Sequence, residues 1–499
     1  MIELDHISYW YPRRPEAALR DLSLRISDGE SVCVMGRNGS GKTTLIKLIA
    51  GLVRPARGRL TVNGRFQTES GDGQVGILFQ NPDNQMVATL VEKEIAFALE
   101  NRATPQAAME IEIARVASQF GIEHLLRRLT SELSGGEKQR VALASVMVQN
   151  PSVLLLDEPD AFLDQDGRRI LAAELARLHK GDKRLIEIRI TQSAQVARDY
   201  SRLIVLDDGA VVTDGEPEMI FGDQRLCAVA GLTIPDLSQI QVTVPNSLKL
   251  RDEAGDERLN SVRLEQVSFA WPMCEPVFRN VNLSLEAEET VGLVGPTGVG
   301  KSSLGLLIAG LIRAIEGRIL YLHKSGLGLT DDVVRGQLAL MLQQPERQFF
   351  LETCAEEVAF GPNNRGRSLD SAEINSFLEL VGLSPARFAE RDPFSLSAGE
   401  KRRLAFAAVL AMAPSFVIFD EPTAGLDGEG VGRFIALSRA LKELGVGQMI
   451  VSHDGDVVRQ LCDRVAYMTR RGDLLPLSLS ELFEDPRYAG VVSSPVIAT

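Results

Sequence analysis

Apolar residues fall into three kinds of run along this 499-residue chain, and each kind recurs in the same order in both halves. Alternating apolar and polar positions open each half at residues 2–11 and 262–271, the period of a half-buried strand. Continuous apolar runs follow at 31–35, 153–156, 290–294 and 416–419, as expected of parallel strands buried on both faces. A turn at Asp28 and Gly29 leads into the first of them. Helical spacing takes over at Leu45, Ile46, Leu48 and Ile49. It returns at Met109, Ile113, Val116 and Phe120, and again at Ile374, Phe377, Leu378 and Val381. These last two stripes are read as core packing.

Short motifs repeat in register with the apolar pattern. Gly36, Asn38, Gly39, Ser40, Gly41, Lys42, Thr43 and Thr44 correspond to Gly295, Thr297, Gly298, Val299, Gly300, Lys301, Ser302 and Ser303. Their lysines are 259 residues apart; Gln80 and Gln343, Ser134 and Ser397, and Glu158 and Glu421 are each 263 apart. Unrelated motifs do not keep register over such a span, so the chain reads as a tandem duplication. The fold class is α/β, with one nucleotide-binding domain at 1–234 and a second at 259–485. The segment 235–258 carries Pro235, Pro245, Gly255 and a charged run, and reads as an exposed linker; 486–499 is a tail without a readable pattern.

Composition narrows the class. With 44% apolar and 24% charged residues the chain is ordinary for a globular protein. No run of about 18 apolar residues offers a membrane span, and the start Met1-Ile-Glu-Leu-Asp5 has no secretory character. Single cysteines at 33, 227, 274, 354 and 462 argue against a disulfide framework, a zinc site or an iron–sulfur cluster. A net charge of −13 disfavours a general nucleic-acid binder.

The glycine-rich loops lie between a strand and a helix, where backbone N–H groups curl around phosphate and the helix N-terminus adds its dipole. Lys42 and Lys301 then reach the β- and γ-phosphates, and the hydroxyls of Thr43 and Ser302 ligate Mg²⁺. Asp157-Glu158 and Asp420-Glu421 each end an apolar run, which brings their carboxylates beside the phosphates. Asp157 and Asp420 are the candidate second Mg²⁺ carboxylates, and Glu158 and Glu421 the candidate general bases. ATP and Mg²⁺ are the expected cofactors.

Between loop and Asp-Glu pair, each half carries a Leu-Ser-x-Gly-Glu segment: Ser134, Gly135 and Gly136 in one, Ser397, Ala398 and Gly399 in the other. Loop, glutamine, this signature and Asp-Glu-Pro, in that order, resemble the ATP-binding cassette ATPases. The resemblance implies a RecA-like α/β core, an antiparallel β subdomain and a helical subdomain in each half. It further implies head-to-tail pairing of the two cassettes, each ATP lying between one loop and the other cassette's signature. Tyr11 and Trp271 match the aromatic that stacks on adenine, and Gln80 and Gln343 the loop that senses Mg²⁺ and touches the membrane partner. A narrower resemblance lies in Asn81-Pro-Asp-Asn-Gln85 with Glu94-Ile-Ala-Phe97, in Gln344-Pro-Glu-Arg-Gln348 with Glu357-Val-Ala-Phe-Gly-Pro362, and in Gly231-Leu-Thr-Ile-Pro235. These are similar to cassettes of energy-coupling factor importers. That likeness implies a transmembrane coupling protein and a substrate-capturing membrane subunit as partners, at the cytoplasmic face of the membrane, with no nucleic acid expected.

The copies differ at the position that carries the family's switch histidine. His453 occupies it in the second half and Gln192 in the first. Glutamine gives only a neutral hydrogen bond, whereas charge-assisted bonds are roughly twice as strong. Ala398 replaces the glycine found at Gly135, and its methyl group is expected to restrict φ and crowd the phosphate. Paired head to tail, both departures fall on the site built on the first loop, which is therefore expected to be the weaker one. The alternatives are a soluble twin-cassette ATPase acting on ribosomes or DNA, or an ATP-dependent scaffold. Against the former stand a short, proline-broken linker and an acidic chain.

Overall fold

The computed structural model describes residues 1–12, 16–66, 74–80, 82–133, 135–160, 163, 165–181, 183–233, 258–272, 274–329, 334, 336–488 and 491–492, with scattered positions between 236 and 248. Contacts divide the chain into two compact units, Met1–Thr233 and Ile234–Ser494.

In the first unit a six-stranded sheet runs in the order Ala210–Gly215, Arg202–Asp207, Ser31–Met35, Ile186–Ile190, Val153–Asp157, Val75–Leu78. All neighbours are parallel except the outer hairpin. The second unit repeats this with Leu474–Leu477, Arg464–Met468, Thr290–Val294, Gly447–Val451, Phe416–Asp420 and Leu338–Met341. Central strands covered on both faces favour apolar side chains, which is why 31–35, 153–156, 290–294 and 416–419 read as unbroken runs, whereas Ile186–Ile190 and Gly447–Val451 each bury polar residues.

Each unit also carries a smaller antiparallel sheet, built on Ile2–Tyr9 and on Leu259–Ala270. His6 and Gln266 sit at the same register shift in the two sheets, both with φ 51. The duplication therefore extends to a β-bulge. The helical stripes lie on Gln106–Gln119 and Ser371–Leu380, where Ile113, Val116, Phe377 and Leu378 are buried. The helices Gly135–Met147 and Ala398–Ala411 pack on Val91–Glu100 and Cys354–Asn363 respectively.

Two segments depart from the sequence reading. Pro245 and Leu248 are buried within the supposed exposed linker, and Leu237, Val242, Val244 and Leu248 pack against the second unit's apolar core. Burial of these side chains outweighs the local proline and charge signals. In the tail, Tyr488 meets Tyr467 edge to face, and Val491 and Val492 pack beside it; residues 493–499 lie outside the described residues.

Candidate active site

Both glycine-rich loops leave a central strand and enter an eight-residue helix, Lys42–Ile49 or Lys301–Ile308. Gly36 and Gly295 open the loops at φ 148 and 151. A Cβ at Gly36 would stand 2.1 Å from the Leu206 carbonyl oxygen, and one at Gly295 2.3 Å from that of Met468. Only glycine lets the loop hug the sheet this closely. Inside the curl, Lys42 Nζ donates to the carbonyls of Gly36 and Arg37 at 2.6 and 2.9 Å. Lys301 Nζ donates to those of Gly295 and Pro296, both at 2.8 Å. Both lysines are buried, whereas Thr43 and Ser302 beside them are exposed. Ser40 Oγ is buried and has no hydrogen-bond partner among the described residues. A buried ammonium, a helix N-terminus and an unsatisfied hydroxyl fit a triphosphate.

The carboxylates converge on this spot. Thr43 Oγ1 donates to Asp157 Oδ1 at 3.4 Å, and Ser302 hydrogen-bonds Asp420. Burial pushes the Asp420 carboxyl up to about 6, and that of Asp157 upward too. A hydroxyl and a desolvated carboxylate on one side of the loop suit Mg²⁺, which favours the charged form. When bound, Mg²⁺ neutralises charge on the phosphate oxygens.

Glu158 and Glu421 follow directly, both in the left-handed region at φ 46 and 48. Such a conformation is uncommon for a residue with a side chain and costs on the order of 1–3 kcal/mol. It is held from the neighbouring strand: Glu158 N donates to Ile190 O at 3.1 Å and Glu421 N to Val451 O at 2.9 Å. In the first unit two amides grip the carboxylate. Gln80 Nε2 lies 2.9 Å from Glu158 Oε2, and Gln192 Nε2 3.4 Å from Oε1. Burial pushes the Glu158 carboxyl up to about 7, against the attraction of Lys42 and helped by Asp157 and Asp160. In the second unit His453 replaces the glutamine: its Nε2 is 3.4 Å from Glu421 Oε1 and 3.2 Å from Lys301 Nζ. The structure thus gathers Lys, Thr or Ser, Asp, Glu and the switch residue in each unit. Gln343 contributes its backbone carbonyl, which accepts from Arg402 Nη2.

Trp271 is 43% exposed and rests edge-on against Phe269, so it is no core aromatic. Tyr11 is half-buried, with its hydroxyl 3.2 Å from Thr44 Oγ1 on the loop's helix. In the second signature, Ser397 caps Ala398–Ala411 in a reciprocal box with Glu400. Ser134 lies outside the described residues. The φ restriction expected at Ala398 needs correction. Gly135 is not among the left-handed glycines, and a Cβ there would meet nothing within 4 Å. The position is ordinary right-handed helix in both units, where alanine carries no conformational penalty.

The residues after each glutamine have roles that their sequence does not reveal. Buried Glu94 accepts from Val87 N and Ala88 N at 2.8 and 2.7 Å; buried Glu357 accepts from Phe350 N and Leu351 N at 2.6 and 2.7 Å. Gln85 and Gln348 each bridge a backbone N–H and a carbonyl of the preceding strand–loop segment. The loops so fixed present Val87 and Phe350 to solvent, and the helices that follow them, Val91–Glu100 and Cys354–Asn363, present Phe97 and Phe360. Also missed were a buried ion pair, Asp160 with Arg189 at 3.1 Å, and Arg402. The only signals were differences between the copies, Thr423 and Ile450 for Asp160 and Arg189, and Gln139 for Arg402.

The family model "ABC transporter" matches residues 19–161 and 278–424. A Methanosarcina mazei protein provisionally named an ABC transporter ATP-binding protein is 29% identical, over 97% of this chain and 90% of its own. A similarly named Vibrio vulnificus protein is 30% identical, over 99% and 91%. Among solved structures, cbiO1 from Clostridium perfringens, part of the ABC transporter complex cbiONQ, is 29% identical over 47% of this chain and 95% of its own, with a TM-score of 0.41. With two matched regions, each holding a phosphate loop and an Asp-Glu pair, this chain belongs to the ABC transporter family and carries two of its ATPase cassettes.

Proposed function

We propose that this chain is the ATP-hydrolysing motor of an energy-coupling-factor-type importer, with both cassettes fused in one polypeptide. The observation that carries the reading is the pair of apolar platforms beside Gln80 and Gln343, each fixed by a buried glutamate and a glutamine of the importer-like motif. Among the described residues no helix is long and apolar enough to cross a membrane. In this reading the chain acts at the cytoplasmic face through partners, and helices of a transmembrane coupling protein occupy the platforms. A separate membrane subunit captures the solute, a vitamin, metal ion or other small molecule.

The cassettes close head to tail on two ATP molecules. Lys301, Glu421 and His453 with Ser134 form the stronger site; Lys42, Glu158 and Gln192 with Ser397 form the weaker. At each, the glutamate accepts a proton from the attacking water, and the buried lysine and switch residue hold the γ-phosphate. What supports the inequality is the switch residue, because Ala398 lies in right-handed helix and brings no φ restriction. Affinity capture of the tagged chain from detergent-solubilised membranes tests the importer role. A multi-span membrane protein is expected to co-purify and to be lost with Val87→Asp and Phe350→Asp. Ribosomal subunits captured instead, unaffected by these changes, would sink the reading.

A further inference from the structure

Arg402 lies five residues past the Ser397 cap, on the helix Ala398–Ala411, and is buried. Its two terminal nitrogens reach different motifs. Nη1 donates to the backbone carbonyl of Glu421, and Nη2 to that of Gln343 at 2.9 Å. One guanidinium therefore ties the helix that starts at the signature to the sensing loop and to the residue bearing the base. A buried cation is costly unless its donors are satisfied, and here it is spent on two backbone carbonyls of the site. Glu421 needs such a hold. Its φ of 48 lies in a sparsely populated region, and a bond to its own carbonyl fixes the peptide that follows.

The first cassette shows the alternative. Gln139 stands at the corresponding place in the signature helix and is also buried. Its side chain is two bonds shorter, and its Nε2 has no hydrogen-bond partner among the described residues. The clamp thus belongs to one copy.

We propose that Arg402 is a positioning residue of the second nucleotide site, holding the Glu421 peptide and the Gln343 loop in register for hydrolysis. This rests on the reading of Glu421 as the general base. Its hydrogen bonds to Glu421 and Gln343 bear on the base and the sensing loop, so it acts on turnover and not on ATP affinity. It also passes any movement of the signature helix directly to the base.

The test uses the full chain, with steady-state ATP turnover, titration with a fluorescent ATP analogue and thermal unfolding. Arg402→Gln, the first-cassette residue, is expected to lower kcat by about tenfold with KM within about twofold. Arg402→Met, an apolar replacement of similar size that a buried site tolerates, is expected to do the same if the glutamine variant fails to fold. Arg402→Lys, which keeps one donor group, is expected to recover part of kcat. A folded glutamine or methionine variant with wild-type kcat overturns the proposal, as does a fall of kcat in step with ATP affinity. Glu421→Gln run alongside separates the two ideas: if it retains turnover, the base assignment itself is wrong.

Discussion

In the first cassette the strand Ile186–Ile190 buries Glu187 and Arg189; in the second, Gly447–Val451 puts Gln448 and Ile450 in their places, because Asp157 pairs with Ile190 and Asp420 with Val451. Arg189 meets Asp160, while Glu187 accepts from Tyr200 Oη and lies 2.6 Å from His179 Nε2. In the second cassette Gln448 exchanges two hydrogen bonds with Ser438, and Ile450 is simply apolar. Both strands occupy the same place in the same sheet. The ion network is thus no requirement of the fold, and an uncharged solution exists one domain away. A buried ion pair of this kind commonly adds little net stability over its apolar equivalent, yet is damaging to break on one side.

The sharpest break of that comparison is Arg189→Met, which strands the Asp160 charge. It is expected to cost about 3–5 kcal/mol in denaturant unfolding, and the second-cassette pair Asp160→Thr with Arg189→Ile to restore most of it. An Arg189→Met chain as stable as the wild type would show the network to be ornamental. Next comes the inequality of the sites. Glu421→Gln is expected to reduce ATP turnover by about 100-fold, equivalent to about 2.7 kcal/mol, and Glu158→Gln by less than about threefold. Equal losses would make the two sites equivalent.

A pH profile refines this. With Glu421→Gln silencing the second site, the remaining kcat/KM reports the free first site. Glu158, held up to about 7 by burial, is protonated below that pH and ionised above it. Since a base works ionised, turnover is expected to rise about tenfold from pH 6 to pH 8; a flat profile would remove Glu158 from the proton transfer. The smallest effect belongs to Gly135→Ala, expected to stabilise the chain by about 0.4–1 kcal/mol with ATP turnover unchanged. A fall in turnover would revive crowding at the signature.

Much of this was legible in the sequence because the duplication prints every essential element twice. Buried strands, phosphate loops, Asp-Glu pairs and helical stripes all depend on local pattern, and local pattern is what a sequence shows. What stayed hidden depends on reach and on backbone conformation. Nothing in Glu-Lys-Arg402-Arg says that the arginine bends back to Gln343 and Glu421. The left-handed turn at Glu158 and Glu421 is set by bonds to the neighbouring strands, not by their own preference. Glycine at 135 suggested a conformational need, yet it stands at an open helix start. The prolines of 235–258 suggested a free linker, although Leu248 had an apolar core within reach.

The loop anchors have a consequence for molecular association. Glu94 and Glu357 hold the amides of Val87, Ala88, Phe350 and Leu351 from beneath, while Val87 and Phe350 are 64% and 59% exposed. Apolar side chains are offered to solvent on a backbone that has already lost its conformational freedom. A helix settling there gives up little further chain entropy, so that the area it buries is converted into affinity more completely than on a slack loop. Amide hydrogen exchange would register the same thing in a different currency, as slowly exchanging N–H groups beneath an exposed greasy surface.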